Sequence, residues 1–419
     1  MQAVVSQRAG AAVHIDPSLP REHIVIRAAD GVESWGMLYT PAGGRRRTAV
    51  HLMHPRGDMS RHYIVPGLVA AGYSVFAANS RYLNNDRDMV HERIVLDIAA
   101  GQQMLRERGF EAVALFGNSG GGSLFALYQS QAVSAAGERL RDIPGDWRLD
   151  LGAYDLPPGD AYISVASHPG QGLYLMRTLD PAVVDEGDPL LSDPALDMYD
   201  PANGYRPLPQ ASIYSAEFLS GYRAAQRART ARLDATAQAH LERQRAAREA
   251  MAAPDFERRP AAEQMALRRA AAADWVMVIY RTLANPAFLD PSIEPNQRPL
   301  GSIFAADPMV GNYAQGGLAR VMTPRGWLST WSGLSSRAVL ARNIATITAP
   351  TLIVNALGDS DIFPPDAQDV FDASPATDKQ LVALEEAGHY LTPVPGSTRP
   401  DPRERLIDLL VPWLRERLP

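Results

Sequence analysis

An α/β fold, with a mostly parallel sheet flanked by helices, is the class this sequence predicts, and three observations carry the prediction. Over residues 22–170, short β-rich apolar runs alternate with longer amphipathic segments. The same alternation resumes at residue 347 and continues to the last helix. Between them lies a mainly helical stretch inserted after the sixth strand. The 419-residue chain is thereby divided into an N-terminal extension (1–21), a first core part (22–170), a helical insertion (171–346) and a second core part (347–419).

The first core part contributes six expected strands: HIVIRA (23–28), ESWGMLYT (33–40), TAVHLMH (48–54), YSVFAAN (73–79), AVALFGN (112–118) and AYISVAS (161–167). Helices are expected over 63–71 and 89–108. In the second, Val90, Ile94, Ile98 and Leu105 share a face while Glu92, Arg93, Arg106 and Arg108 lie mostly off it. The insertion opens on an Asp- and Pro-rich stretch, 180–210, whose composition makes turns rather than regular elements. Helical segments follow over 215–253 and 260–283, dominated by Ala, Arg, Gln, Glu and Leu. The second core part supplies TAPTLIVNALGD (348–359), entered through Pro350, then QLVALEEAGH (380–389) and an amphipathic helix over 403–418.

Composition narrows the function classes. A hydrophobic share of 46%, a charged share of 21% and a formal net charge of −6 give no electrostatic reason to expect nucleic acid or an anionic membrane as partner. With no cysteine, disulfides, thiolate metal sites and a cysteine nucleophile are excluded. The N-terminus lacks an apolar run behind a basic start, and nowhere do eighteen uncharged apolar residues follow one another. The reading is a soluble, cytoplasmic protein with a small-molecule substrate, no nucleic acid and no membrane partner; a homodimer is left open.

Two charged features are read conservatively. Arg223, Arg227, Arg229, Arg232, Arg243, Arg245 and Arg248 are taken as a solvated helix side, because Asp234, Glu242 and Glu249 intersperse them. Asp180, Asp185, Asp188, Asp193, Asp197 and Asp200 lack EF-hand spacing and are read as turn formers rather than metal ligands.

The chemistry centres on Gly117-Asn118-Ser119-Gly120-Gly121, a G-x-S-x-G that directly follows an expected strand and precedes a helical run. In that strand–turn–helix setting the serine stands clear in a strained conformation, the glycines admit close neighbours, and helix amides point at the site. A serine hydroxyl needs a base, and the base needs an orienting acid. His389, in EEAGHYLTP, follows the last expected strand, and Asp361, in LGDSDIFPP, follows the strand before it. Asp359 competes for the acid role, its other reading being a turn cap. Amide donors for the developing oxyanion are expected at Gly120 and at Arg56, since Pro55 has no N–H.

In HLMHPRG, FGNSGGG, LGDSDIFPP and AGHY, taken in that order, the chain resembles an α/β-hydrolase-fold serine hydrolase over residues 22–170 and 347–418. The resemblance implies a Ser119, Asp361, His389 triad, Asp361 being preferred because the acid in such loops lies three residues past the glycine. It implies no cofactor and a carboxylic ester or related acyl bond as target. The same triad serves thioesters, amides, lactones and C–C bonds of diketones, and a non-catalytic ligand-binding protein on the same fold is the alternative class. The chain departs from the pattern at His54-Pro55, where His-Gly is usual, and at Asn79-Ser80-Arg81-Tyr82.

Substrate-binding candidates are His54, which is expected chiefly to brace the oxyanion loop, His168 beyond the sixth strand, and Trp327 and Trp331. With Phe304 and Tyr313, the two tryptophans form either the insertion's own core or an apolar substrate wall. The Arg56 guanidinium either points outward or reaches a substrate carboxylate or carbonyl. His51, inside a strand, reads as a structural histidine.

Overall fold

A computed structural model of the chain describes residues 12–145, 148–314 and 317–419. The expected N-terminal extension therefore lies outside the described residues as far as residue 11.

Eight strands form one sheet: β1 (Arg21–Arg27), β2 (Glu33–Tyr39), β3 (Thr48–Leu52), β4 (Ser74–Ala78), β5 (Ala112–Asn118), β6 (Ala161–Val165), β7 (Thr351–Ala356) and β8 (Lys379–Leu384). Their spatial order is β1-β2-β4-β3-β5-β6-β7-β8. The β1/β2 and β2/β4 pairs are antiparallel, and every pair from β4 to β8 is parallel. This is the α/β-hydrolase arrangement.

The strand sequences explain their positions. Edge strand β1 buries Ile24 and Ile26 and exposes their neighbours, whereas β3, β4, β5 and β6 are buried at every residue, as strands covered on both faces must be. Alternation along β5 sends Leu115 to one core and Ala114 and Phe116 to the other. On the Leu115 side pack α2 (His91–Glu107) and α3 (Gly120–Val133), through Ile94, Ile98, Leu105, Leu124 and Leu127. On the opposite side pack α1 (Val65–Ala70) and the last helix (Pro402–Arg417), through Leu68, Leu406 and Leu410.

Between β6 and β7 the chain forms α4 (Gln171–Thr178), α5 (Ala216–Ala252), α6 (Ala261–Ala272) and shorter pieces. Helix α6 stops well before residue 283, correcting the expected span. Residues Met277–Val278 pair antiparallel with Val321–Met322, in a run where the β-branched Val276, Val278 and Ile279 favour extended backbone. The Asp-rich stretch holds a hairpin, Val183–Asp185 with Asp188–Ser192, where only turns were expected. Its aspartates do form turns as well: Asp193 accepts from the Ala195 amide at 3.0 Å and Asp200 from the Ala202 amide at 2.8 Å.

The arginines of α5 divide. Arg227, Arg232, Arg243 and Arg245 are exposed, as expected of a solvated side. Arg229 is buried and grips Glu186 through two bonds of 2.7 and 2.6 Å, and half-buried Arg223 and Arg248 donate to the Arg177 and Ala271 carbonyls at 3.0 and 3.2 Å, correcting that reading at three positions. Beside Arg229, the Arg281 and Asp180 side chains form a fully buried ion pair at 2.8 Å that ties the insertion to itself. Among the described residues no helix is long and apolar enough to cross a membrane.

Candidate active site

Strand β5 ends at Asn118, α3 begins at Gly120, and Ser119 between them takes φ 56° and ψ −122°. A non-glycine residue held there costs about 1–3 kcal/mol, so the surroundings must hold it in place. They do so through β6: the Ser119 amide donates to the Val165 carbonyl at 3.1 Å and the Asn118 side-chain amide donates to the same oxygen at 2.9 Å. Two glycines mark close approaches. A Cβ at residue 122 would collide with the Ser167 hydroxyl at the end of β6, which accounts for the third glycine of the run. A Cβ at residue 120 would sit 2.9 Å from His54 Nε2 and 3.1 Å from His168 Nε2, so two imidazoles converge on the first residue of α3.

His389 lies beyond β8, 3% exposed, with Nε2 2.9 Å from Ser119 Oγ and Nδ1 2.6 Å from Asp359 Oδ2. The carboxylate at His389 is thus Asp359, which corrects the expectation of Asp361. The reason is local. Strand β7 ends at Ala356, and the Gly358 amide donates to the Ala387 carbonyl at 2.8 Å, pinning the turn to the loop that carries His389. Residue 359 then faces residue 389 directly. The turn-cap reading of Asp359 holds as well: its Oδ1 accepts from the amides of Asp361 at 2.9 Å and Ile362 at 3.1 Å.

Asp361 faces the insertion instead. Its Oδ1 accepts from the Tyr174 hydroxyl at 2.5 Å and the Ser302 hydroxyl at 3.1 Å, and its Oδ2 from the Ile303 amide at 2.8 Å. It therefore clamps two parts of the insertion to the core.

The electrostatics follow from burial and from these two carboxylates. Burial disfavours the His389 imidazolium, yet the opposing attraction of Asp359, its hydrogen bond and the more distant Asp361 hold the pKa above the ordinary 6.5. Asp361 is pushed up to about 6, first by burial and then by the neighbouring charge of Asp359. Burial also raises Tyr174 well above the phenol range, with Asp361 adding to it, so the phenol stays a neutral donor. His168 is driven down to about 3 by burial, and by the positive charges of His389, His91 and Arg56 after that, which leaves it neutral.

The Gly120 amide opens α3 immediately beside Ser119. The expected second donor needs correction. The Arg56 amide donates to His54 Nδ1 at 3.2 Å, and the Gly57 amide donates to the same nitrogen at 2.8 Å, so the loop after β3 turns both amides onto the histidine ring. The Ser80 hydroxyl fastens this loop by donating to the Pro55 carbonyl at 2.5 Å, a role for the divergent stretch after β4. The Arg56 guanidinium lines the cavity but pairs with Asp86 at 3.1 Å, which matches neither of the two readings of that residue.

A cavity of about 270 Å³ opens over Ser119 and His389. His54 and His168 line it, as do Tyr174, Ile303 and Phe304 from the insertion. Trp327 and Trp331 do not. Both are fully buried: Trp327 Nε1 donates to Asp234 at 2.7 Å and Trp331 Nε1 to the Asp86 carbonyl at 3.1 Å. The expected aromatic cluster is therefore split, with Phe304 at the wall and the tryptophans in the insertion's core. Tyr174, Ile303 and Tyr390 are cavity residues that the sequence reading missed. For Tyr390, adjacency to His389 was the available signal.

No protein-family model matches the sequence, and no curated protein matches it. Similar solved structures include the esterase domain of a Rhodothermus marinus protein, 12% identical over 95% of this chain and 99% of that one, with a TM-score of 0.45. The α/β hydrolase GrgF from Penicillium sp. sh18 is 14% identical over 95% and 99%, with a TM-score of 0.48. The monoacylglycerol lipase of Paleococcus ferrophilus is 12% identical over 96% and 100%, with a TM-score of 0.39.

Proposed function

We propose that this chain is a serine hydrolase that cleaves a carboxylic ester or related acyl bond of a small to mid-sized, largely apolar molecule. One observation carries the reading: Asp359, His389 and Ser119 form a continuous line of contacts, 2.6 and 2.9 Å long, that ends at a cavity. In the proposed mechanism Ser119 Oγ bonds to the carbonyl carbon as its proton passes to His389 Nε2. Asp359 keeps the imidazole in the tautomer that can accept that proton and stabilises the imidazolium. The Gly120 amide meets the oxyanion. Collapse expels the alcohol, which takes the proton from His389, and water activated by the same histidine releases the acid. The insertion acts as a cap whose Tyr174, Ile303 and Phe304 supply an apolar wall, which favours a substrate enclosed on several sides. Arg56 is already paired with Asp86, so charge on the substrate is not required.

A fluorophosphonate probe tests the proposal. Labelling of the wild type, absent in Ser119→Ala, is the expected result. A wild type that neither labels nor hydrolyses a panel of p-nitrophenyl esters would overturn it.

A further inference from the structure

Resting on the hydrolase reading, we infer that the second oxyanion donor is the side chain of His54, through Nε2–H, in place of a backbone amide of the loop after β3. A ring nitrogen that accepts N–H bonds carries no hydrogen of its own. His54 Nδ1 accepts from the Gly57 amide at 2.8 Å and from the Arg56 amide at 3.2 Å, so the neutral ring bears its proton on Nε2. Nε2 is also the atom that lies against Gly120, 2.9 Å from the position a Cβ would take there. His54 and Ser119 line the same cavity. The proton-bearing nitrogen thus faces the first turn of α3, where the Gly120 amide is the other donor.

The local sequence agrees with this arrangement. Pro55 removes one amide from the loop, and the next two are committed to the ring, so the loop's hydrogen-bonding capacity reaches the site through the imidazole. The bonds to Nδ1 fix both ring orientation and tautomer in advance, as an effective oxyanion donor requires. When Ser119 Oγ bonds to the carbonyl carbon, the carbonyl π pair moves onto oxygen. The resulting oxyanion is held by Gly120 N–H and His54 Nε2–H, with the serine proton on His389.

Two isosteric variants separate a donor from a brace. In His54→Asn the amide oxygen takes the place of Nδ1 and keeps the bonds from the loop, but nothing replaces Nε2–H. His54→Gln supplies an amide N–H near the Nε2 position and loses the acceptor at Nδ1. With p-nitrophenyl butyrate as probe, His54→Asn is expected to fold, to keep KM within about threefold, and to lose roughly 10²- to 10³-fold in kcat. His54→Gln is expected to retain the larger share of kcat. A purely structural histidine predicts the reverse order, and that order, or a His54→Asn kcat within threefold of wild type, overturns the inference alone. A wild type that fluorophosphonate does not label overturns the hydrolase reading together with it. Independently of any variant, ¹⁵N NMR of histidine-labelled wild type should show His54 as the Nε2–H tautomer, its proton shifting when a trifluoromethyl ketone adduct forms on Ser119. An Nδ1–H tautomer would refute the assignment.

Discussion

Replacing Asp359 with asparagine tests its proposed role as the acid of the triad with a large, signed effect. Oδ1 of Asp359 accepts from two backbone amides, at 2.9 and 3.1 Å, so an asparagine would keep its carbonyl oxygen there and turn its NH₂ toward His389. That places a donor against Nδ1, which now faces a carboxylate oxygen at 2.6 Å. The ring would respond by moving its proton to Nε2, which then points a hydrogen at Ser119 Oγ and cannot accept one. Loss of the productive tautomer in a serine triad lowers kcat by about 10⁴-fold, or roughly 5.5 kcal/mol of transition-state stabilisation. Asp361→Asn should by contrast keep kcat within about tenfold, because the Tyr174 and Ser302 hydroxyls can turn to accept from an amide while its oxygen takes the Ile303 N–H. Steady-state kinetics on a p-nitrophenyl ester, with both variants checked by thermal unfolding, decides the matter. A Asp359→Asn enzyme within tenfold of wild type beside a crippled Asp361→Asn would refute the reasoning. The pH profile adds a second sign: catalysis needs neutral His389, so the acid limb of kcat/KM should lie above 6.5, where Asp359 holds the imidazole. In Asp359→Asn, burial is left with less opposition and the limb should move to lower pH.

Other predictions concern stability and the cavity wall. Asp361 is raised above its unfolded value to about 6, so the folded state binds the extra proton between about pH 4 and 6. Its contribution therefore falls as pH rises through that window, and the melting temperature of Asp361→Asn should gain on wild type from pH 4 to 6 and hold a constant gap above; a gap that does not change with pH would count against this. Gly122→Ala drives a methyl into the Ser167 hydroxyl and should cost about 1–3 kcal/mol in a chemical denaturation experiment. Trp327→Phe leaves the buried Asp234 without one of its donors and should cost about 1–3 kcal/mol while KM stays unchanged. Phe304→Ala should raise KM for longer acyl esters and, because the ring is buried against Tyr174 as well as lining the cavity, should also cost about 3–5 kcal/mol of stability.

Much of the core was legible in the primary sequence because it depends on short-range patterns. The run AVALFGN is strand β5 to the residue, and the strand–turn–helix setting of Ser119 follows from an apolar stretch meeting glycines. The helices over 89–108 and 215–253 differ from the observed α2 and α5 only at their ends, since their periodicity and helix-forming composition are local properties. His389 was likewise paired with Ser119 from its place just beyond the last expected strand and from the order of motifs in the family it resembles, and the two lie 2.9 Å apart.

What the sequence left open was settled by contacts between segments far apart in the chain. Asp359 and Asp361 are equivalent carboxylates two residues apart. The bond from the Gly358 amide to the Ala387 carbonyl turns one toward His389 and leaves the other to hold Tyr174, Ser302 and Ile303. Arg56, expected as an amide donor, gives its N–H to His54 Nδ1, an acceptor that the turn after β3 brings back over its own backbone. Trp327 and Phe304 read alike as apolar aromatics; in the fold Trp327 is buried away from the cavity with Nε1 on Asp234 of α5, whereas Phe304 lines the cavity. Local propensity and spacing determined the sheet and the elbow, and the family resemblance pointed to Ser119 and His389 of the proposed triad; the partner of each polar group is decided by what the folded chain brings within 3 Å of it, and a one-dimensional pattern does not encode that.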